Sequence, residues 1–449
     1  MTEMTSLSTS PYKGTRDYYP KEKRIQNYIF NIWARTAKQF GYEEYGAPML
    51  EPLEVYTAKS GDELAGEQTY LFTDRGERQV AIRPEMTPSI SRMVAARRQE
   101  LAYPARLFSI ANFMRYERPQ RGREREFWQM NVDMFGAAGV QADAEIITLG
   151  FETMKAFGAT PNMYSIKVNS RTLIDAMMHG YLGLDPIQAP LMVKLFDRKN
   201  KISNEDFRDQ AIEIFGVDNA KEGLGKIAKL LIAKEISSLP SELSEHETVA
   251  ELSSLFEILK QRGVTNVQFD ITLMRGFDYY TGTVFEFFDS HPDNNRAMFG
   301  GGRYDGLVGL FGAEPISAVG MAPGLSPIEL FLESHNLLPE FASTTELYMA
   351  TLDESLIPKA YDLASQLRSE KVNVELDFTG RKLDKQIKTA VKKQIPYVVF
   401  IGENEVKSQK FNVKNTKTGE EESVVFERLV TLVKDKRHNY SVDDNDLFE

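Results

Sequence analysis

The run Arg115-Tyr-Glu-Arg-Pro-Gln-Arg-Gly-Arg-Glu-Arg-Glu-Phe127 places five arginines and three glutamates in its first twelve residues. Apolar, strand-like stretches flank it at residues 106–113 and 126–135, so the pattern predicts two strands joined by a very polar link. Guanidinium forks match the oxygens of a phosphate. Alternating glutamates would hold those forks when no phosphate is bound. Phe127, just past the turn, is placed to stack on a base. The same composition also fits a solvated arginine–glutamate hairpin.

Upstream, Ile25, Ile29, Ile32, Trp33 and Ala37 recur at helical spacing, which predicts a long amphipathic helix over residues 21–40 that Gly41 ends. Runs at 70–72 and 79–82 flank Thr73-Asp74-Arg75-Gly76 and predict a hairpin. Downstream, residues 142–157 return to helical periodicity. Residues 197–262 are mostly helical and charged, either a block inserted into a larger mixed domain or an ordinary helical connection. Strands are expected again at 267–273 and 283–288, before the glycines of 300–312. After Pro339, strands at 346–350, 372–378 and 397–401 alternate with helices at 355–370 and 382–394. That alternation predicts a compact α/β domain with parallel strands, closed by a hairpin at 411–415 and 423–426. The acidic end, with Asp443, Asp444, Asp446 and Glu449, reads as a loose tail.

A chain of 449 residues exceeds what one core usually serves, so several domains are expected. With no cysteine, disulfides, thiolate chemistry and cysteine metal sites are excluded. The five histidines are scattered without ligand spacing, so no metal site is expected. The net charge is −11, yet residues 346–440 hold 17 Lys+Arg against 15 Asp+Glu, so the acidity lies elsewhere and a basic RNA face is compatible. The opening MTEMTSLSTS has no signal-peptide pattern, and no segment approaches the apolar length of a membrane span. A cytoplasmic protein without membrane attachment is the expectation.

Three further stretches offer chemistry. Glu85 sits in Ile82-Arg-Pro-Glu-Met-Thr-Pro88, where two prolines pin a carboxylate and a hydroxyl suited to a ligand's ammonium group. Arg275-Gly-Phe-Asp-Tyr-Tyr280 follows a strand-like run as a pocket wall or an ordinary strand terminus. Gly300-Gly-Gly-Arg-Tyr-Asp-Gly306 lacks the ending of a phosphate loop and does not match GxGxxG. It reads as a tight glycine turn beside a ligand.

Together these stretches resemble the class II histidine–tRNA ligases. Gly14-Thr-Arg-Asp17 with Pro20 resembles the family's opening, and the helix ending in Gly41-Tyr-Glu-Glu-Tyr-Gly-Ala-Pro48 resembles motif 1. Arg115–Phe127 with Gln129 and Asp133 matches motif 2. Leu273-Met-Arg-Gly-Phe-Asp-Tyr-Tyr280 and Gly301-Gly-Arg-Tyr-Asp-Gly306 match the two histidine-specific signatures. The resemblance implies an α+β fold: an antiparallel-sheet catalytic core over residues 1–335 with a helical insertion at 180–262, an α/β anticodon-binding domain at 340–440, and a tail at 441–449. It implies ATP, L-histidine and tRNA(His) as substrates, Mg²⁺ on the ATP phosphates, no protein metal site, and a homodimer built around motif 1.

By position, the resemblance makes Arg115 and Arg275 the catalytic arginines at the α-phosphate. Glu117, Arg123, Arg125 and Phe127 bind ATP with Arg115. Glu85, Met86, Thr87, Gln129, Asp133, Tyr279, Tyr280 and Tyr304 form the histidine pocket with Arg115 and Arg275. Arg118 and Gln120 meet the tRNA acceptor end. Asp133 stands where the family usually has glutamate. Motif 3 departs further: Gly324-Leu-Ser-Pro-Ile328 replaces the usual Gly-x-Glu-Arg, with Pro327 at the arginine position and Ser326 at the glutamate. The resemblance therefore leaves an alternative, a regulatory paralogue with weakened or lost catalysis.

Overall fold

A computed structural model describes residues 7–57, 68–274, 279–294, 296–341 and 343–435. The chain divides into two compact units, Met1–Leu338 and Pro339–Glu449.

The strands of the first unit are β1 (Glu43–Glu44), β2 (Leu50–Pro52), β3 (Tyr70–Thr73), β4 (Gln79–Ile82), β5 (Ala105–Met114), β6 (Glu126–Phe135), β7 (Tyr164–Ser170), β8 (Val267–Phe269), β9 (Thr283–Asp289), β10 (Ala297–Arg303) and β11 (Ala318–Met321). Eight of them form one sheet in the order β1-β5-β6-β11-β10-β9-β7-β8. Its pairs are antiparallel except at the two edges, β1/β5 and β7/β8. The arginine-rich hairpin lies within this sheet, with β5 and β6 in register from Ala105↔Phe135 to Met114↔Glu126. Strand alternation gives β6 two faces. Met130, Val132 and Met134 are buried on one, toward the helices Val140–Ala156 and Leu325–Ser334. Phe127, Gln129, Asn131 and Asp133 occupy the other.

The helix Pro20–Gln39 buries Ile25, Ile29, Ile32, Trp33 and Ala37 along one stripe, and it packs on the helices Val140–Ala156 and Leu325–Ser334. Burial of each isoleucine contributes roughly 1.5–3 kcal/mol. Gly41, at φ 78°, turns the chain out of this helix into β1. The small sheet β2-β4-β3 carries the second hairpin. The helical block from Arg171 to Gln261 connects β7 to β8, which are parallel neighbours with Ile166 opposite Val267. Parallel neighbours require a crossover, and this block is that crossover.

Two sequence expectations change here. Residues 300–303 are part of strand β10, not a turn. A Cβ at Gly300 would lie 2.6 Å from the Phe285 carbonyl oxygen, one at Gly301 2.1 Å from that of Gly320, and one at Gly302 2.9 Å from the Tyr280 ring. The glycines therefore serve close approach across a strand rather than reversal of the chain. The strand expected at 267–273 stops at Phe269, because Asp270 closes a turn by accepting from Thr272 N (2.9 Å) and Thr272 Oγ1 (2.6 Å).

The second unit has a five-stranded sheet in the order β13-β12-β14-β15-β16, from β12 (Leu347–Thr351), β13 (Val374–Leu376), β14 (Tyr397–Ile401), β15 (Lys410–Asn415) and β16 (Glu421–Val425). β13, β12 and β14 are parallel, and β14-β15-β16 are antiparallel. β12 is buried throughout. Leu347 and Met349 face one core with Leu363, Leu367 and Leu429, while Tyr348 and Ala350 face another with Ala390 and Ile395. Burial on both faces explains its continuous apolar run. The proposed tail at 441–449 lies outside the described residues. No helix among the described residues is long and apolar enough to cross a membrane.

Candidate active site

The sheet face opposite the long helices holds most of the sequence-predicted residues. Asp133, on β6, stands opposite Gly320 on β11, where a Cβ would come within 2.3 Å of its Oδ1. Gly320 therefore makes room for the carboxylate. The Tyr304 hydroxyl donates to Asp133 Oδ1, while Oδ2 is buried with no hydrogen-bond partner among the described residues. Asp133 is 3 % exposed. Burial raises its pKa to about 7; the Tyr304 hydrogen bond pulls it down and the charge of Glu85 pushes it up.

Glu85 lies just before the helix Thr87–Ala96 and is also 3 % exposed. Tyr279 donates to its Oε2 at 2.8 Å, and Thr87 adjoins the same hydroxyl. Burial, then the Glu85 charge, holds the Tyr279 phenol well above its ordinary range, so it remains a donor. Tyr279 packs edge-on against Tyr280 and Tyr304, with ring centroids at 5.1 and 5.8 Å. Two carboxylates and three tyrosines thus converge, with Tyr280 against Gly302 and Asp133 against Gly320. A small ligand with two separated basic groups matches that set. Met86 belongs to a different environment: it is fully buried with Ala111 and Phe113, so its side chain supports the wall from behind.

Next to this pocket, Arg115 Nε donates to the Pro84 carbonyl at 2.9 Å, and its guanidinium lies 5.2 Å from the Phe127 ring centroid. Phe127 leans on Phe113 at 5.7 Å and is half-buried. Gln129 donates from Nε2 to the Ala322 carbonyl at 3.1 Å, and its backbone bridges to Gly324. Beyond Arg115 the side chains are more exposed. Arg123 Nε pairs with Glu117 Oε2 at 2.7 Å. Arg125 lies over Tyr116 at 4.1 Å and donates to the Glu117 carbonyl and the Tyr12 hydroxyl, each at 3.1 Å. Arg118 and Gln120 occupy the exposed tip, where Gln120 and Arg123 close a turn with Gly122 at φ 73°.

Motif 3 forms the helix Leu325–Ser334, with Pro327 in its first turn. In place of a glutamate–arginine pair, Ser326 Oγ donates to Glu124 Oε2 at 2.9 Å. Arg16 joins the two elements, with Nη2 at 2.5 Å from Glu329 Oε2 and Nε at 3.4 Å from Glu124 Oε1. Burial opposes the Arg16 charge, but the Glu329 hydrogen bond prevails and holds the guanidinium above its ordinary range. Gly14 fits the same strap: its carbonyl accepts from Arg125 N at 2.7 Å, and a Cβ there would meet Arg125 Cγ at 2.7 Å. The N-terminal segment therefore ties the arginine-rich link to the motif 3 helix.

Arg275 and Asp278 lie outside the described residues. The structure adds residues that the sequence reading passed over. Asn131 sits between Gln129 and Asp133 on the same face, with Nδ2 buried and unpartnered among the described residues. Glu286, on β9, stands opposite Gly300 and adds negative charge near Tyr280. Arg296 donates to Gln120 Oε1 at 3.0 Å and adds a cation to the exposed tip. Strand alternation along β6 pointed to Asn131; nothing local pointed to Glu286 or Arg296. Arg303, inside the glycine-rich signature, donates from Nη2 to Asp143 Oδ1 at 2.7 Å and is a structural anchor.

The family model described as "Histidyl-tRNA synthetase" matches residues 14–328, and one described as "Anticodon binding domain" matches residues 346–436. The chain is 40 % identical over 433 residues to the histidine–tRNA ligase of Leptospira biflexa, covering 96 % of this chain and 98 % of that protein. It is 34 % identical over 417 residues to that of Haloarcula marismortui, covering 92 % and 94 %. The crystal structure of histidyl-tRNA synthetase from Nostoc sp. PCC 7120 superposes with a TM-score of 0.78 at 22 % identity, over 96 % of this chain and 100 % of that one.

Proposed function

This chain belongs to the histidyl-tRNA synthetase family and catalyses its reaction, ATP-dependent activation of histidine and transfer to tRNA(His), and we propose here which residues carry each step. Its fold is the class II synthetase fold, a catalytic core with a helical insertion and a C-terminal anticodon-binding domain.

In this proposal Glu85, Thr87 and Tyr279 take the substrate ammonium group, and Asp133 with Tyr304 takes the imidazole. Tyr280 and Gln129 close the pocket. Arg115, together with Arg275, lies at the α-phosphate, Phe127 stacks on adenine, and Glu117 supports the nucleotide. The histidine carboxylate oxygen attacks the α-phosphorus, forming histidyl-adenylate as the bond to pyrophosphate breaks. The terminal ribose hydroxyl of tRNA then attacks the activated carbonyl, and AMP leaves. Arginines at the α-phosphate stabilise charge that grows on its oxygens, so no protein nucleophile is required. Arg118 and Gln120 meet the acceptor end. Mg²⁺ arrives with the ATP phosphates, which supply its oxygens; no cluster of three candidate protein ligands occurs among the described residues. Arg123 and Arg125 carry the β- and γ-phosphates in place of the arginine that Pro327 replaces. A homodimer belongs to the same proposal, supported by exposed Met49, Leu50, Leu71 and Phe72 on and beside the small sheet.

The observation that carries the histidine assignment is the buried, half-satisfied Asp133 beside Gly320, close enough to Glu85 to feel its charge. Histidine-dependent exchange of pyrophosphate into ATP tests it without tRNA. Exchange with histidine, and its loss in Asp133→Ala while the variant melts as cooperatively as the parent, is the expected result. Undiminished exchange in Asp133→Ala would remove the assignment.

A further inference from the structure

The helix Leu325–Ser334 has Pro327 in its first turn, at the position where an arginine would supply a cation, and Ser326 beside it carries no charge. A guanidinium nevertheless reaches this end of the helix from Arg16, 313 residues from its partner Glu329. Arg16 Nη2 donates to Glu329 Oε2 at 2.5 Å, one turn on from Ser326. Its Nε lies 3.4 Å from Glu124 Oε1, and its guanidinium lies 4.4 Å from the Tyr18 ring centroid. The Glu329 side chain is only 11 % exposed, so this is a largely buried pair. Removing one member of such a pair strands a charge away from water.

Glu124 is the residue this arrangement grips. It stands between Arg123 and Arg125 and is committed to the helix: Oε2 accepts from Ser326 Oγ at 2.9 Å, and Oε1 faces Arg16. Its neighbours rest elsewhere, Arg123 on Glu117 at 2.7 Å and Arg125 over the Tyr116 ring at 4.1 Å. The backbone is held from the same N-terminal strap, since Arg125 N donates to the Gly14 carbonyl at 2.7 Å. A Cβ at Gly122 would lie 2.9 Å from Leu330 Cδ1, so the turn of the link rests on this helix as well. A solvated arginine–glutamate hairpin needs no such anchor. Here two exposed arginines flank a carboxylate that is itself fixed, so displacing the anchor displaces both guanidinium groups.

We propose that Arg16 is a positioning residue for ATP: it holds Glu124 against the helix Leu325–Ser334 and thereby sets Arg123 and Arg125 where they meet the β- and γ-phosphates. This rests on the reading that those two arginines carry the phosphates in place of the one that Pro327 replaces. Arg16 is itself shared by two carboxylates, so it acts through the link rather than on the nucleotide. The test uses the full chain in histidine-dependent pyrophosphate exchange, with KM measured separately for ATP and for histidine. Arg16→Ala should raise the ATP KM on the order of tenfold and leave the histidine KM within about twofold of the parent's. Because that change leaves Glu329 unpaired, the variant Arg16→Met/Glu329→Leu removes both charges; it should melt at or above the parent's temperature and still show the raised ATP KM. Arg16→Ala combined with Arg123→Ala should cost less than the product of the two separate effects, since an unanchored Arg123 has already lost its placement. Glu329→Gln should also raise the ATP KM. A fall instead would mean that the released Arg16 binds phosphate directly, and would overturn the positioning role. An unchanged ATP KM in Arg16→Met/Glu329→Leu, or an equal rise in both KM values, would overturn it too. A parent whose ATP KM is indifferent to both Arg123→Ala and Arg125→Ala would instead overturn the reading of the phosphate end beneath the proposal.

Discussion

The two ends of the proposed active site are held together in opposite ways. At the proposed histidine end, Asp133, Glu85, Tyr279 and Tyr304 are buried and bonded in two pairs beside glycines of two neighbouring strands, β10 and β11. At the proposed phosphate end, Arg123 and Arg125 reach into solvent and rest on Glu117, Tyr116 and Tyr12. A small substrate with fixed donors can be met by a prebuilt pocket, whose selectivity comes from buried groups left unpaired by the wrong ligand. A flexible triphosphate that must enter and leave as pyrophosphate suits cations that exchange one anionic partner for another. The difference predicts that substitutions at the buried end act on recognition and stability together, and those at the exposed end mainly on ATP.

The largest effect should come where the two ends meet. Arg115→Ala is expected to lower the rate of histidine-dependent exchange about 10²–10³-fold with only a small change in the KM for histidine. A variant that lost histidine binding first would place Arg115 in the pocket rather than at the α-phosphate. Next in size is Asp133→Asn. Loss of a charge-assisted contact should raise the KM for histidine roughly 10–100-fold, from about 1.5–3 kcal/mol. The same change should stabilise the unliganded protein, and the sign follows from the pKa of about 7. Between the ordinary aspartate range and that value, the folded protein keeps a proton that the unfolded chain has released. The contribution of Asp133 to stability therefore falls as pH rises through this window and stays low above it. Thermal melts should show Asp133→Asn gaining over the parent at pH 8 and gaining little at pH 4; an equal gain at both would deny the buried charge.

The smallest effects belong to the exposed end, and they test the compensation for Pro327. Arg123→Ala or Arg125→Ala should raise the ATP KM several-fold in the parent, on the order of 1 kcal/mol for an exposed charged contact. In the double variant Ser326→Glu/Pro327→Arg the same substitutions should matter less. Identical penalties in both backgrounds would break the link between the arginine-rich link and motif 3. Arg16 is the element to watch, because its bond to Glu329 joins residues 313 apart and shares Glu124 with Ser326.

Much of this was legible in the chain. Periodicity located the first helix, the two strands around the arginine-rich link, and the alternation of the second unit, because 3.6- and 2-residue repeats are local properties. Pro84 and Pro88 drew attention to Glu85, which the structure buries beside Tyr279, and the run of arginines to the end proposed for the phosphates. Gly300, Gly301 and Gly302 were misread as a turn because a glycine records only that a side chain is absent. Whether the freed space admits a chain reversal, a ligand or a neighbouring strand depends on what lies opposite.

The sequence by itself therefore determined which groups are present: the carboxylates, tyrosines and arginines, their order, and the elements that carry them. Tertiary structure decided their state. It brought Glu85 to Tyr279 across 194 residues and buried Asp133 against Tyr304. It also committed Arg303 to Asp143 and Arg16 to Glu329, so that neither serves as a freely exposed cation. Charge, pKa and availability depend on dielectric and on neighbours within a few ångströms, and those neighbours are chosen by the packing of distant segments rather than by residues adjacent in the chain.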